Sequence, residues 1–216
     1  MFLNFCLYIL CFATAYILGS FNFAIFISKN FYNKNIKKLG SKNAGATNML
    51  VNFGKAPAIA TLLGDILKGF IAVLICKILC SKIANSDNII LIEYIVLFFA
   101  LVGHIFPIFY KFKGGKGIAV TAGAMIFIDL KVFLTLVTIF IIIFKFSKIV
   151  SLSSLSATVC YPIVTFIFNY FINYKVSTKI TLLSTIISLI VSIIIILAHK
   201  ENIKRLIENR ETKIKK

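Results

Sequence analysis

Three polar stretches of this chain bring together residue types suited to handling an oxyanion. The first is Leu39–Asn48, LGSKNAGATN, in which Gly40 and Gly45 flank Ser41, Lys42 and Asn43, and Thr47 and Asn48 follow. Small residues leave backbone N–H groups accessible, and consecutive accessible N–H groups form an anion-binding nest. The second is Gly103–Gly117, GHIFPIFYKFKGGKG, ending in Lys113, Gly114, Gly115, Lys116 and Gly117 just before an apolar run. Glycines let backbone wrap an anion, the following helix offers its first N–H groups, and the lysines add charge. The third is His199-Lys200-Glu201-Asn202 with Arg205 beyond, where His199 and Asn202 share a helix face. An imidazole and an amide there can bind an oxyanion or assist proton transfer.

Each stretch also has a plainer reading. Asn and Ser can simply cap a turn, glycines beside lysines can be an ordinary basic loop, and a histidine at a helix end is often structural. His104 lies within an apolar run, where a polar ring is either a functional group or a helix-packing hydrogen bond. Ser151, Ser153 and Ser154 after Lys148 form a smaller polar group, and Asp65 with Lys68 reads first as an ion pair on one helix face. Several chemistries are excluded. Ala46 stands where a Walker loop needs lysine, neither histidine has an aspartate five residues on, and no GxSxG elbow occurs. Cys6, Cys11, Cys76, Cys80 and Cys160 all sit in apolar runs without a neighbouring histidine or carboxylate, so no metal or other cofactor is expected.

The elements that must position these groups are membrane helices. The chain has 216 residues, 60% hydrophobic, with a formal net charge of +17. Apolar runs near the length of about 20 residues needed to cross a bilayer recur. Spans are expected near Phe2–Ser28, Ala56–Cys80, Ile89–Tyr110, Ile118–Ile128, Val132–Phe146, Leu152–Ile172 and Ile180–Ala198. Met1 precedes an apolar run with no Lys or Arg before Lys29, unlike a secretory signal, so the first span is expected to be retained. Joining the fourth and fifth spans would put Asp129 and Lys131 near mid-membrane, at roughly 2.5–3.5 kcal/mol each.

Charge placement favours an outside amino terminus and a cytoplasmic carboxy terminus. Most Lys and Arg then fall in 29–55, 111–117, 145–151 and the tail 199–216, with Lys77, Lys82, Lys131, Lys175 and Lys179 on outer connections or span ends. The tail Lys200–Lys216 reads as a charged helical extension. The expectation is an all-α integral membrane protein of seven transmembrane helices, one domain over 1–216, with every polar stretch on the cytoplasmic side. The basic residues flank spans rather than forming a soluble face, which argues against nucleic acid.

GSKNAGATN, GHIFPIFYKFKGGKG and HKENIKRL, in that order and with GDILKG at Gly64–Gly69, resemble the motifs of the bacterial acyl-phosphate:glycerol-3-phosphate acyltransferase family (PlsY). The resemblance spans nearly the whole chain. It implies acyl transfer from acyl phosphate to the first hydroxyl of glycerol 3-phosphate in the bacterial inner membrane, with the active site facing the cytoplasm. The expected partners are those substrates, membrane lipid and, loosely, the enzyme that supplies acyl phosphate. Carried over by position, Ser41, Thr47 and Asn48 would bind phosphate. Lys116 and the Gly114–Gly117 backbone would bind glycerol 3-phosphate or the leaving phosphate. His199 and Asn202 would orient the reacting groups, with Ser151 a further contact.

Ser41, Lys116, His199 and Asn202 are thus the catalytic candidates. Lys42, Asn43, Gly45, His104 and Lys113 join the substrate-binding set. Three positions depart from the family pattern: Lys42 replaces Gly, Val51 replaces Arg, and Lys148 replaces Arg. Lys42 or Lys55 is expected to supply the charge missing at Val51, since valine offers no donor. Two alternatives from other classes are a small transporter of an anionic metabolite, with Asp65 and His104 lining a path, and an inactive structural relative.

Overall fold

The apolar runs fold into helices because a bilayer leaves backbone groups no other partner. The computed structural model describes residues 2–81, 86–173 and 176–214. Lys82 and Lys175, expected on outer connections, and the last two residues of the tail lie outside the described residues. In chain order the helices are α1 (Phe2–Ser20), α2 (Phe23–Asn30), α3 (Ala46–Phe53), α4 (Lys55–Cys80) and α5 (Ser86–Ile105). They continue with α6 (Ile118–Ile128), α7 (Leu130–Ser147), α8 (Val150–Ile167), α9 (Thr178–Ala198) and α10 (Lys200–Ile207).

Among the described residues, 6 segments are long and apolar enough to cross a membrane: Asn4–Asn30, Lys55–Cys80, Asn88–Tyr110, Leu130–Ser147, Val150–Ile172 and Thr178–Ala198. The first of these is not one helix. It breaks between α1 and α2, where Asn22 caps α2 by accepting a hydrogen bond from the Ile25 N–H at 3.0 Å. α6 has only 11 residues, about half the length that spans a bilayer. The run from Ile118 to Phe146 divides at Asp129, whose side chain accepts from the N–H groups of Lys131 and Val132 at 2.9 and 3.1 Å and so caps α7.

α5 is the central helix, packed against α1, α4, α6 and α9, while α8 joins α9 to the peripheral α7. Two crossings depend on the absence of side chains. A Cβ at Gly69 on α4 would fall on the Val120 carbonyl of α6, and one at Gly123 on α6 would fall on the Ile66 carbonyl of α4. Gly19 and Ala100, with Gly103 and Tyr16, repeat the arrangement between α1 and α5. Close backbone approach of this kind replaces the hydrophobic driving force that lipid removes. Hydroxyls add to it, as where Ser192 on α9 donates to the Thr158 carbonyl of α8 at 2.9 Å. Cys11, Cys76 and Cys80 pack together in the core between α1 and α4, with Cys11 Sγ and Cys80 Sγ 3.7 Å apart.

The tail is not the continuous helix expected for Lys200–Lys216. α10 ends at Ile207, Asn209 takes a positive φ of 55°, and the chain folds back until the Ile214 N–H meets the Lys148 carbonyl at 2.9 Å. The reversal is held by Glu211, described below.

Gly123→Val and Gly69→Val are each expected to destabilise the fold by about 1–3 kcal/mol through overpacking. Thermal unfolding in detergent micelles measures this, and unchanged midpoints would contradict the close crossing.

Candidate active site

The polar stretches meet at one end of the helices around a cavity of about 700 Å³, a size that suits a small ligand. Three helix starts line it: Gly45–Thr47 of α3, Gly117–Ala119 of α6, and Val150 with Ser151 of α8. The first N–H groups of a helix have no partner within it, and its dipole favours an anion there. Convergence of three starts on one cavity therefore supplies anion affinity before any side chain is counted.

Asn48 organises the first stretch. Its amide donates to the carbonyls of Ile36, Leu39 and Asn43 at 3.2, 3.1 and 2.9 Å, while its oxygen accepts from the Ser41 N–H and from Asn52. Asn48 lines the cavity, but these bonds make it the clamp that shapes the loop. Ser41, Asn43, Gly45 and Thr47 also line the cavity. Asn22, from the break after α1, donates to the Ala44 carbonyl at 3.2 Å and ties the loop to the bundle. Lys42, with φ 58°, is exposed and not among the cavity-lining residues, whereas Val51 and Lys55 are. Of the two lysines expected to offset Val51, only Lys55 is placed to do so.

In the second stretch, Lys116 and Gly117 line the cavity. Gly117 has φ 89°, a left-handed conformation that glycine adopts without strain. The backbone cradle expected of Gly114 and Gly115 does not form, because their N–H groups donate to the carbonyls of Ile105 and His104 at 3.0 and 3.2 Å. Side chains at either glycine would collide with His104. These two positions close the loop against the end of α5. Lys113 also stands away from the cavity wall, its carbonyl accepting from the Lys37 ammonium at 2.6 Å.

His199 occupies the junction of α9 and α10. Its Nδ1 lies 2.8 Å from the Ile195 carbonyl, which can only accept, so Nδ1 carries the proton and Nε2 keeps its lone pair. Burial, reinforced by Lys116, pushes the ring down to about 4. It is therefore neutral near pH 7 and offers an acceptor. Lys116 Nζ donates to Asn202 Oδ1, and burial followed by nearby Arg205 lowers Lys116 to about 8. Asn202 Nδ2 donates to Glu211 Oε1 at 2.8 Å, and Arg205 Nε to Glu211 Oε2 at 2.7 Å. Ser151 Oγ is buried at the cavity wall without a hydrogen-bond partner among the described residues, leaving it free for a ligand.

Glu211, Asn22 and Asn52 were not singled out by sequence reasoning. Glu211 is six positions beyond Arg205 and reaches it only because the tail turns back, a reversal no helical spacing announces. Leu50, Val51, Ile59, Leu62, Ile118 and Phe140 add apolar surface to the wall of the same cavity.

Fold and site together define a many-helix membrane protein with a cavity lined by helix starts, cationic groups and apolar side chains. Residues 9–209 match the family model described as glycerol-3-phosphate acyltransferase. A glycerol-3-phosphate acyltransferase of Neisseria meningitidis serogroup C (strain 053442) is 34% identical over 202 residues, covering 94% of each chain. One of Nitrosomonas eutropha is 38% identical over 203 residues, covering 94% of this chain and 95% of its own. The crystal structure of PlsY (YgiH), an integral membrane glycerol 3-phosphate acyltransferase, in its glycerol 3-phosphate form superposes with a TM-score of 0.82 at 30% identity over 96% of both chains. The lysophosphatidic acid form gives 0.77 at 29% identity, covering 96% of this chain and 95% of the other. The chain belongs to the glycerol-3-phosphate acyltransferase family.

The lowered Lys116 makes anion binding pH-dependent. Inorganic phosphate should bind more weakly as pH rises through about 8, because the ammonium loses the charge that the anion needs. Calorimetric titration between pH 7.5 and 10 (roughly the range bracketing that change) measures it. Lys116→Met should bind weakly throughout, without the decline.

Proposed function

We propose that this protein transfers an acyl group from acyl phosphate to the sn-1 hydroxyl of glycerol 3-phosphate, giving lysophosphatidic acid and inorganic phosphate. The observation that carries the reading is one cavity whose wall combines Ser41, Thr47, Lys116, Ser151, His199 and Asn202 with apolar side chains. Both substrates carry phosphate, and one also carries a long alkyl chain. The polar side chains match the phosphates and the apolar ones match the chain.

The chemistry follows from the charges. The glycerol hydroxyl oxygen attacks the acyl carbon, the bond from that carbon to the phosphate oxygen breaks, and phosphate leaves with the electron pair. Acyl phosphate is already activated, so the step depends on alignment and on stabilising the charge that gathers on the departing phosphate. Lys116 and the helix starts supply that stabilisation. His199, neutral and unprotonated at Nε2, accepts a hydrogen bond from the attacking hydroxyl and orients it. The proton leaves with a phosphate oxygen, a stronger base than an imidazole lowered to about 4. Asn202 holds Lys116, and Glu211 holds Asn202 and Arg205.

The reading places the protein in the bacterial inner membrane as one domain over 1–216. Its seven helices include the short α6, the amino terminus is outside, and the cavity faces the cytoplasm. The lysine-rich segments 29–55, 111–117 and 199–216 support that orientation. A loose association with the enzyme that makes acyl phosphate would shorten the path of a reactive amphiphile.

Purified protein should release phosphate from palmitoyl phosphate only when glycerol 3-phosphate is present, and His199→Ala should slow that release about a hundredfold or more. Uptake of glycerol 3-phosphate into liposomes without acyl transfer would favour the transporter, and neither activity would favour the inactive relative. Lys55→Met is expected to raise the glycerol 3-phosphate KM about tenfold, the loss of one charge-assisted contact, with kcat little changed. Lys42→Met should leave both constants as they are. Unchanged kinetics in the Lys42→Met, Lys55→Met double variant would refute compensation for Val51.

A further inference from the structure

A second group of ionisable side chains lies behind the anion cavity, where α4, α5 and the end of α1 meet. Lys68 Nζ is buried with His104 Nδ1 at 2.8 Å, Asp65 Oδ1 at 2.9 Å, and the carbonyls of Phe21 and Gly19 at 2.6 and 3.0 Å. All three side chains are at most 5% exposed, so each interaction substitutes for lost water.

The geometry fixes the proton positions. Two backbone carbonyls take two of the Lys68 N–H groups, and the Asp65 charge, which makes an ion pair but no hydrogen bond, keeps the amine an ammonium with its third N–H left over. An ammonium has no lone pair, so His104 Nδ1 beside it must be the acceptor. Asp65 is the other group able to bond Nδ1, but its oxygen lies 3.6 Å away, beyond a hydrogen bond. A neutral imidazole that accepts at Nδ1 carries its proton at Nε2. That edge of the ring faces Gly115, where an added Cβ would collide with Nε2 and approach the Ala44 carbonyl at 2.8 Å. His104 lines the anion cavity with Asp65.

We propose that Lys68 is a positioning residue of this site: by donating to His104 Nδ1 it holds the ring in its Nε2–H form, giving the cavity a hydrogen-bond donor for a substrate phosphate oxygen. The first half stands on the contacts alone; the identity of the substrate rests on the acyltransferase reading. The two histidines then act in opposite senses. His199 is held by a carbonyl at Nδ1 and presents an acceptor, whereas His104 is held by an ammonium at Nδ1 and presents a donor. The same ammonium satisfies the carbonyls at the break after α1 and so links the donor to the helix end whose neighbour, Asn22, holds the first loop.

Nitrogen NMR of isotopically labelled histidine in nanodisc-embedded protein tests the first half. The chain has 2 histidines, and the His104 signals are those missing from His104→Gln. The wild-type spectrum should show His104 protonated at Nε2, and protonation at Nδ1 would overturn the proposal whatever the activity. Steady-state kinetics test the second half. His104→Phe should raise the glycerol 3-phosphate KM about tenfold, the loss of roughly one hydrogen bond to a charged group. His104→Gln, whose amide can stand in for Nε2–H, should recover most of it.

Lys68→Arg should retain the Nε2–H signal and near wild-type KM, while Lys68→Met should lose both. A KM for His104→Phe equal to wild type would overturn the donor role, even with the expected tautomer. An Nε2–H spectrum in wild-type protein that catalyses no acyl transfer would sink the acyltransferase reading while upholding the Lys68–His104 arrangement.

Discussion

The constraint on which this structure rests is that backbone N–H groups inside a bilayer cannot be left to water. Helices consume all but the first few, so unpaired donors survive only at helix starts. The chain brings three such starts, those of α3, α6 and α8, to one cavity. Each carries part of a positive charge that needs no side-chain ordering to act. Lys116 and Arg205 add full charges, and Glu211 keeps Arg205 and Asn202 in place. Positive potential is thus built into the chain path before any ligand arrives.

Buried polar bonds and close glycine contacts set the shape of the site. Asn48 gathers three carbonyls of its own loop, Asn22 fastens that loop to the bundle, and Gly114 and Gly115 let the second loop close onto α5. The glycine crossings of α4 with α6 and α1 with α5 set the spacing of the helices that carry these loops. Loops at a membrane surface are ordinarily free to move. Here a small number of buried polar bonds ties the loops to the bundle.

Much of this was legible in the sequence, for physical reasons. Apolar runs announce their helices, and the division at Asp129 follows from the cost of burying charge. The three polar stretches stand out because a connecting loop needs no such collection of small and hydrogen-bonding residues. What was not legible depends on where chains fold back. A break between Phe21 and Asn22 inside an apolar run leaves no trace in hydropathy. Glu211 reaches Asn202 only after a reversal at Asn209, and Gly115 reads as a flexible cradle until its contact with His104 is known. Lys42 and Lys55 look equivalent in sequence, yet only Lys55 reaches the cavity. Asp65 and Lys68 reveal their pairing by helical spacing, but not the two carbonyls and the imidazole that complete it.

The central claim of the proposed function is direct transfer. On the proposed reading, the lone pair at His199 orients a hydroxyl, the cations receive a phosphate, and the substrate brings its own activated carbon. The most direct measurement is isotope exchange: protein, palmitoyl phosphate and radiolabelled inorganic phosphate are incubated without glycerol 3-phosphate. Direct transfer predicts no label in palmitoyl phosphate until lysophosphatidic acid is supplied with it. Label entering palmitoyl phosphate without it would reveal an acyl-enzyme and contradict the account.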